Sequence, residues 1–266
     1  MKPILRVFPS DALATFAVEI TISTIATCLN KHKRDRFTLV LSGGSTPKQM
    51  FNLFVSEKMN QYPPIFWEKV HFFWGDERHV GPDHPDSNFK TAFDLMLSKI
   101  PIPVGNIHRI KGEMANAADA AAAYEQELRD FFQITGDTLP RFDLIFLGLG
   151  NDGHTASLFP GTRALEEERK LVASNWVGKL DTERITMTAP VINNAEKVVF
   201  LVAGDDKAMP LKSVLEGAHE PQQLPAQLIQ PQHGRLLWLL DSQAARLLPD
   251  DQSNRGPLDV SFFEPI

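Results

Sequence analysis

The chain of 266 residues has a formal net charge of −6 and contains 43% hydrophobic and 23% charged residues, a composition typical of ordinary globular proteins. The acidic balance argues against non-specific nucleic-acid binding, which relies on many Lys and Arg side chains, and the single cysteine, Cys28, excludes an internal disulfide and a cysteine-based zinc cluster. We find no apolar run close to the roughly 20 residues that span a bilayer and no secretory signal, so we expect a cytoplasmic protein that binds neither membranes nor nucleic acid.

Apolar runs that predict strands recur along the whole chain, separated by segments with helical patterns. Near-continuous apolar runs are typical of strands that are covered on both faces, as in parallel sheets. We predict such strands at 37–41, 70–74, 142–148, 197–204 and 235–241, and further strands at 4–8, 171–176 and 184–189.

Helix signals occupy the intervals between these strands. The segment 10–31 has apolar residues at helical spacing, and Ser10 stands where a side chain can cap a helix. The segment 116–132 is rich in Ala and Glu, which favour helices. Pro47 suits the first turn of a helix that begins after the Ser-Thr pair before it.

A further helix is predicted over 205–217, bent at Pro210 and ended by Gly217. The alternation of strands and helices without a long linker indicates one doubly wound α/β domain with a mostly parallel sheet. We assign residues 1–266 to this domain and leave the role of the tail 250–266 open.

Polar or glycine-rich segments follow four of the predicted strands, directly after residues 41, 74, 148 and 204. Ligands of doubly wound folds bind at the carboxyl ends of the strands. We therefore expect these four segments to meet at one edge of the sheet and to form the functional site.

The first of these segments, LSGGSTPKQMF, leaves a strand through two glycines and enters a helix. Glycines allow close approach of the backbone, and the start of a helix offers unpaired N–H groups to an anion. The pattern favours a phosphate site about as well as a plain strand-to-helix turn with a Ser/Thr cap. The candidate phosphate-binding residues are Ser42, Gly43, Gly44, Ser45 and Thr46.

The second segment carries Asp76 and Arg78. A charged run is usually a solvated loop, but at the carboxyl end of a strand Arg78 is suited to hold an anionic or oxyanionic group, and Asp76 is suited to orient a hydroxyl or water. The nearby Asp83, His84 and Asp86 resemble metal ligands, but the prolines and glycines between them favour a turn.

The third segment contains Gly148, Gly150 and Gly153, which satisfy G-x-G-x-x-G. A dinucleotide fingerprint must open a long helix, and here Pro160 ends any helix almost at once. Ser157 likewise lacks the flanking glycines of a nucleophile elbow. Neither nicotinamide binding nor a serine nucleophile is expected.

Asp152 and His154 remain as the chemically active pair of that segment. A lone histidine is more often structural than catalytic, but a carboxylate beside it fixes its tautomer and suits it to general-base chemistry. The pair is also suited to metal ligation, but no third or fourth ligand follows at a fitting spacing. We expect no metal and no cofactor.

Arg184 and Lys207 stand at the boundaries of two predicted strands. Each is interpretable as a surface charge. Each is also placed where a cation can close on a bound phosphate.

Taken together, these residues resemble the 6-phosphogluconolactonase family. The resemblance extends over roughly residues 10–247 and is carried, in the family's order, by LSGGSTPKQMF, WGDERHVGPDHPDSNF, LGLGNDGHTASLFPGT, RITMTAP and GDDKA. It implies a three-layer α/β/α Rossmann-like fold of the glucosamine-6-phosphate deaminase type. It also implies hydrolysis of 6-phospho-D-glucono-1,5-lactone to 6-phospho-D-gluconate in the oxidative pentose phosphate pathway, with this small molecule as the partner and without a cofactor.

The resemblance also implies roles for the matching residues. His154 resembles the base that activates water, with Asp152 beside it. Gly43, Gly44 and Ser45 resemble the sugar-phosphate cradle. The other matching positions are Arg184 and Lys207 as ligands of the 6-phosphate and Asp76 and Arg78 at the lactone end.

Lactone hydrolysis also needs a donor to the developing oxyanion. The residues leave two candidates, Arg78 and a backbone N–H near Gly44.

Two rival functions are weighed against lactone hydrolysis. The deaminases carry a glutamate shortly after the Asp-Gly-His triplet, and Phe159 at this place cannot shuttle a proton. A non-catalytic sugar-phosphate sensor keeps the glycine loop but has no need of Asp152 and His154. The assembly is expected to be a monomer or a weak homo-oligomer.

Overall fold

The structure, a computed structural model, describes residues 3–249 and Phe262. Its central feature is a seven-stranded sheet in which every neighbouring pair of strands is parallel. From one edge to the other the strands are β1 Ile4–Phe8, β10 Arg235–Asp241, β9 Lys197–Val202, β6 Leu144–Leu147, β2 Phe37–Leu41, β3 Val70–Trp74 and β5 Ile107–His108.

A second, antiparallel sheet of three strands contains residues that the sequence analysis placed in strands 171–176 and 184–189. Its strands, in spatial order, are β4 Asp76–Arg78, β8 Thr182–Met187 and β7 Val172–Val177. The two predicted strands therefore exist with shifted bounds, but they form a hairpin outside the parallel sheet. The third member, β4, was not predicted, because three polar residues give no strand pattern.

Within residues 3–249, six α-helices surround the sheets. α1, α2 and α3 pack on one another, whereas α4 packs against the antiparallel hairpin. Together with the mostly parallel sheet, this arrangement confirms the predicted three-layer α/β/α class. The helices are α1 Leu13–Ala26, α2 Ser45–Phe54, α3 Asn88–Leu95, α4 Ala117–Phe132, α5 Ala189–Asn193 and α6 Ala208–Glu216.

Short helical turns complete the connections. α1 continues into a π-helical segment, Thr27–Lys31. The 3₁₀ turns are Glu57–Gln61, Trp67–Lys69, Leu97–Lys99, Val104–Asn106, Arg163–Glu166, Gly178–Leu180, Asp205–Lys207 and Pro225–Leu228.

The inner strands are apolar because the sheet is covered on both faces. Every residue of β2, β6 and β9 is buried. Between β9 and β10 the rings of Phe200 and Trp238 stack with their centroids 3.8 Å apart. The near-continuous apolar runs thus mark central strands, as the sequence predicted.

The predicted cap of α1 is wrong. The helix begins at Leu13, and Ala12 at its N-cap makes no side-chain hydrogen bond. The hydroxyl of Ser10 instead donates to Oδ2 of Asp241, at 2.7 Å. This bond ties the end of β1 to the end of β10. The side chain that the local sequence favours as a helix cap therefore makes a tertiary hydrogen bond instead.

The prediction that no apolar run approaches the length of a membrane span is wrong. α1 and the π-helical segment after it form one continuous helix, Leu13–Lys31. The segment has 19 residues, and the mean hydropathy of its apolar window is 1.4, so by length and composition it is able to cross a bilayer. In the structure 56% of its apolar window is buried, and Thr21 and Thr24 donate to backbone carbonyls one turn earlier. It has the contacts of a core helix.

The remaining helix predictions are confirmed except for the start of α2 and one bend. α2 begins at Ser45, with Gly44 at its N-cap and no side-chain cap, so the Ser-Thr pair lies inside the helix and Pro47 is its third residue. α4 matches the predicted 116–132, and the side chain of Asn116 caps it by accepting from the N–H of Ala118. Pro210 is the third residue of α6, and the first turn of a helix tolerates proline because its N–H groups have no intrahelical partner. It therefore does not bend the helix, which ends before Gly217 as expected.

The buried residues form one extensive hydrophobic cluster that draws on both sheets and the helices. Assignment of the whole chain to one domain stays a prediction. The tail 250–266 lies outside the described residues except for Phe262, whose side chain is buried in that cluster.

Candidate active site

The four polar segments meet at one edge of the parallel sheet, because the strands that precede them, β9, β6, β2 and β3, are consecutive neighbours. A cavity of about 370 Å³ lies there. Every residue that the sequence analysis proposed for the site lines this cavity except Asp152, which lies behind His154. The proposed residues in the lining are Ser42, Gly43, Gly44, Ser45, Thr46, Asp76, Arg78, His154, Arg184 and Lys207.

The glycine loop between β2 and α2 forms one wall. Gly44 has φ +108°, a conformation that side-chain-bearing residues rarely adopt, and α2 begins directly after it. A Cβ at Gly43 would overlap the side-chain amide of Asn88. The hydroxyl of Ser42 is buried and has no hydrogen-bond partner within the part of the chain that the structure describes. A buried donor beside free N–H groups at a helix start is suited to a bound anion.

Two arginines stand side by side elsewhere in the lining. β4 and β8 pair so that Arg78 lies directly opposite Arg184, and such cross-strand pairs have Cβ atoms about 4.5–5.5 Å apart. Burial lowers the pKa of Arg184, and the neighbouring charge of Arg78 lowers it further. The carboxylates of Asp76, Asp86 and Glu77 oppose this shift. Like charges directly opposite each other in a strand pair are nevertheless destabilising. The pair therefore favours an anionic ligand.

Glu77, between the two polar residues of β4, has a structural role. Its buried carboxylate accepts from the backbone N–H groups of Arg78, Asn88 and Phe89 at 2.7–2.8 Å and from the hydroxyl of Ser87 at 3.1 Å. Burial raises its pKa, and the three backbone bonds oppose this shift. Glu77 thus anchors the start of α3 against β4.

Asp76 faces the cavity from the same strand. Its side chain is 8% exposed and accepts from the hydroxyl of Ser157 at 2.7 Å and from the amide of Asn88 at 3.4 Å. Asn88 also donates to the carbonyl of Asp76 at 3.0 Å. These bonds fix the carboxylate at the cavity wall.

His154 is held by a tight turn after β6. Its Nδ1 lies 2.5 Å from Oδ1 of Asp152, which also accepts the backbone N–H of His154 at 3.2 Å. A carboxylate only accepts, so Nδ1 carries the proton and Nε2 keeps a free lone pair. The ring stacks on Phe159 with centroids 4.1 Å apart, and a Cβ at Gly150 would overlap the imidazole.

The surroundings keep this imidazole neutral. The pKa of His154 is lowered from 6.5 to about 4, and burial is the largest cause. The carboxylate of Asp76 opposes the shift. The positive charges of Lys207, Arg184 and Arg78 lower the pKa further. At neutral pH the ring is therefore able to accept a proton.

Lys207 enters the cavity from the turn after β9. Its ammonium group contacts Oδ1 of Asn151 and lies 3.1 Å from a carboxylate oxygen of Asp206. With Arg184 it gives the cavity two cations of the kind that phosphate binding requires.

Three lining residues, Asn88, Lys179 and Leu180, were not identified from the sequence. Phe159, which the sequence analysis named as the residue in place of the deaminases' glutamate, lines the cavity as well. Asn88 belongs to the Ser-Asn pair of the family motif WGDERHVGPDHPDSNF, so the resemblance did point to it. Lys179 and Leu180 come from the tip of the β7–β8 hairpin, and a turn of this kind carries no pattern that predicts what it contacts.

The predicted turn at Asp83–Asp86 is present as consecutive turns, with the N–H of His84 bonded to the carbonyl of Gly81 and that of Ser87 to the carbonyl of His84. Among residues 3–249 and Phe262 there is no group of three or more His, Cys, Asp or Glu side chains arranged to hold a metal.

Comparison with known proteins gives consistent results. The family model for glucosamine-6-phosphate isomerases/6-phosphogluconolactonase matches residues 9–238. The 6-phosphogluconolactonase of Synechocystis sp. is 46% identical over 81% of this chain and 86% of its own, and that of Nostoc sp. is 42% identical over 92% and 98%.

Among solved structures, 6-phosphogluconolactonase from Trypanosoma cruzi superposes with a TM-score of 0.79 at 27% identity, covering 93% of this chain and 97% of that one. The family model and these relatives match most of the chain, including the segments that line the cavity. The chain belongs to the 6-phosphogluconolactonase family, within the group of glucosamine-6-phosphate isomerases and 6-phosphogluconolactonases, and is an enzyme of the hydrolase class.

Proposed function

We propose that this chain hydrolyses 6-phospho-D-glucono-1,5-lactone to 6-phospho-D-gluconate, the second step of the oxidative pentose phosphate pathway. The observation that carries the proposal is a neutral, oriented imidazole that shares one cavity with a glycine loop and a group of cations. The named relatives in Synechocystis and Nostoc support the same substrate. A cytoplasmic location and a monomeric or weakly homo-oligomeric state stay predictions from the sequence.

The proposed base is Nε2 of His154. It takes a proton from water as the water oxygen attacks the lactone carbonyl, and the imidazolium that forms is stabilised by the carboxylate of Asp152 at Nδ1. The same proton then passes to the ring oxygen as the C–O bond breaks. General-base help of this kind is typically worth about 10²–10⁴-fold in rate.

The developing oxyanion needs a positive partner. Arg78 and the backbone N–H groups near Gly44 both line the cavity and are the two candidate donors. Removal of one such donor typically costs about 10²–10³-fold in rate.

The phosphate is assigned to the other cations. Arg184 and Lys207, the start of α2 and the unpaired hydroxyl of Ser42 supply charge and donors for it. Because the phosphate lies away from the reacting carbon, its binding energy serves to orient the lactone.

Phe159 favours lactone hydrolysis over ring-opening deamination. It is 5% exposed, lines the cavity and covers one face of the His154 imidazole. A phenyl ring exchanges no proton, so the group that ring opening requires is missing here, whereas hydrolysis needs only the base, a water and an oxyanion donor.

The proposed reaction is tested by following acid release from freshly prepared phosphogluconolactone in a pH-stat. We expect hydrolysis well above the spontaneous rate and no turnover of glucosamine 6-phosphate. His154→Ala should lower kcat by about 10²–10⁴-fold with little change in KM, because base catalysis acts on the transition state.

The matched control is His219→Ala, since His219 is exposed and lies outside the cavity lining. It should retain full activity. Binding of the lactone without acceleration would leave a sensor as the better interpretation, and an unchanged kcat in His154→Ala would remove His154 from the mechanism.

A further inference from the structure

Lys179 has no part in the proposed reaction, although it lines the cavity. It lies in the turn Gly178–Leu180 at the tip of the β7–β8 hairpin. The side chain of Lys179 is half exposed, and its ammonium group reaches back to Asp152 at the site.

The first contact of Lys179 is with Asp152. Its Nζ pairs with Oδ2 of Asp152, whereas Oδ1 of the same carboxylate accepts from the ring and the backbone of His154. The two oxygens are therefore divided between one cation and one imidazole. A carboxylate held at both oxygens has less rotational freedom than one held at a single oxygen.

The second contact of Lys179 is with Phe159. Its Nζ lies 4.7 Å from the centroid of the ring, within the range of a cation–π interaction. That ring stacks on the imidazole of His154 with an interplanar angle of 26°. Lys179 thus touches both side chains that hold the imidazole, Asp152 at its edge and Phe159 at its face.

We propose that Lys179 is a positioning residue that fixes the orientation of His154 by holding Asp152 and Phe159. The inference rests on the proposed function in that it gives the hairpin tip a part in the same hydrolysis. Lys179 acts on the base and not on the reacting atoms, so its loss slows the chemical step and leaves binding of the substrate nearly unchanged.

The first test compares Lys179→Met, which keeps the length of the side chain without the ammonium group, with Lys179→Arg. We expect kcat to fall about tenfold in the Met variant, a fraction of the loss from removal of the base itself, with KM within about twofold. Arg should restore most of the activity, since its guanidinium also pairs with a carboxylate. Lys58→Met, at an exposed site outside the cavity, is the matched control.

A double-mutant cycle separates positioning from direct contact with the substrate. In an Asp152→Asn background the Lys179→Met change should have little further effect on kcat, because the carboxylate through which Lys179 acts on His154 is already absent. Fully multiplicative effects, or a large rise in KM with unchanged kcat, would overturn the proposal.

A third measurement does not depend on activity. ¹⁵N–¹H spectra should show the Nδ1–H of His154, bonded to Asp152, as one sharp signal that exchanges slowly with water in the wild type and in Lys58→Met. In Lys179→Met the carboxylate is held at one oxygen only, so the signal should broaden and exchange faster. An equally sharp and equally protected signal in Lys179→Met refutes the role of Lys179. If the wild type fails to accelerate lactone hydrolysis, the proposed function fails, while these spectra still decide the role of Lys179.

Discussion

At the scale of single residues, the chemistry of the site depends on how His154 is held. Its Nδ1 edge is fixed by Asp152, one face is covered by Phe159, and the backbone at Gly150 leaves just enough room for the ring. The other ring nitrogen, Nε2, does not help to hold the imidazole in place and is the proposed base. A base with a single orientation loses little entropy when the reaction begins.

The pKa of His154 gives a prediction that needs no turnover. In the free protein its value is about 4, below the ordinary 6.5 because of burial and the nearby cations. The folded protein should therefore leave this ring neutral until the pH falls towards 4. Binding of 6-phosphogluconate should raise the value, since its phosphate offsets the charges of Arg184 and Lys207.

This shift is measured by NMR titration of the His154 ring with and without ligand. Gluconate, which lacks the phosphate, is the matched control and should give a much smaller rise. A pKa that falls or stays constant on binding of 6-phosphogluconate would mean that the phosphate does not lie near Arg184 and Lys207.

The pattern of residues predicted part of this site and not the rest. The Asp152–His154 pair was identifiable because an ionisable pair directly after a buried strand has no structural need to be there. Lys179 was not, because its contacts are made across 27 positions of sequence by the tip of a hairpin.

At the scale of elements, the parallel sheet was predictable and its antiparallel companion was not. β2, β3 and β10 have the bounds read from their apolar runs. β7 and β8 have mixed polarity: they pack against α4, are buried over Ile185–Met187, and become more exposed towards the tip of the hairpin. Their partner β4 is paired through only three residues.

The contact between the glycine loop and α3 gives a prediction at this scale. A methyl group at Gly43 overlaps the amide of Asn88, which in turn binds Asp76. Gly43→Ala should therefore lower the free energy of unfolding by about 1–3 kcal/mol, the usual cost of overpacking, and it should also reduce kcat/KM.

The test is denaturant unfolding of Gly43→Ala with either Asn or Ala at position 88. The Asn88→Ala change removes the overlapping atoms, so in that background Gly43→Ala should cost less than about 0.5 kcal/mol, as for unstrained surface changes. Equal costs in both backgrounds would show that the loop backbone, and not the amide of Asn88, excludes a side chain at position 43.

At the scale of the whole molecule, the net charge of the chain is negative, whereas the site is rich in positively charged side chains. The chain carries −6 overall, yet Arg78, Lys179, Arg184 and Lys207 all line one cavity. Net charge speaks to solubility and non-specific binding, and a few placed groups make a site. Lys179 and Lys207 are paired with Asp152 and Asp206, so the electrostatic cost in the unliganded protein falls chiefly on Arg184, which is buried opposite Arg78. A bound anion relieves this cost.

Replacement of Arg184 should reveal that cost as a gain in stability. Arg184→Met keeps the aliphatic stem but removes the charge that lies opposite Arg78, so without ligand its thermal midpoint should equal or exceed that of the wild type. Phosphate should raise the midpoint of the wild type, because a ligand at 100 times its Kd stabilises by about 2.7 kcal/mol. In Arg184→Met most of this rise should disappear.

Differential scanning fluorimetry over a series of phosphate concentrations, at constant ionic strength, measures both effects. Arg169→Met is the matched control, because Arg169 is exposed and outside the cavity lining, and its midpoint should respond to phosphate as the wild type does. A destabilised Arg184→Met that still responds fully to phosphate would mean that Arg184 supports the fold and that the anion is held by other groups. An Arg184→Met variant that is at least as stable as the wild type and no longer responds to phosphate would show two things about Arg184. It repels Arg78 in the free protein, and it binds the anion.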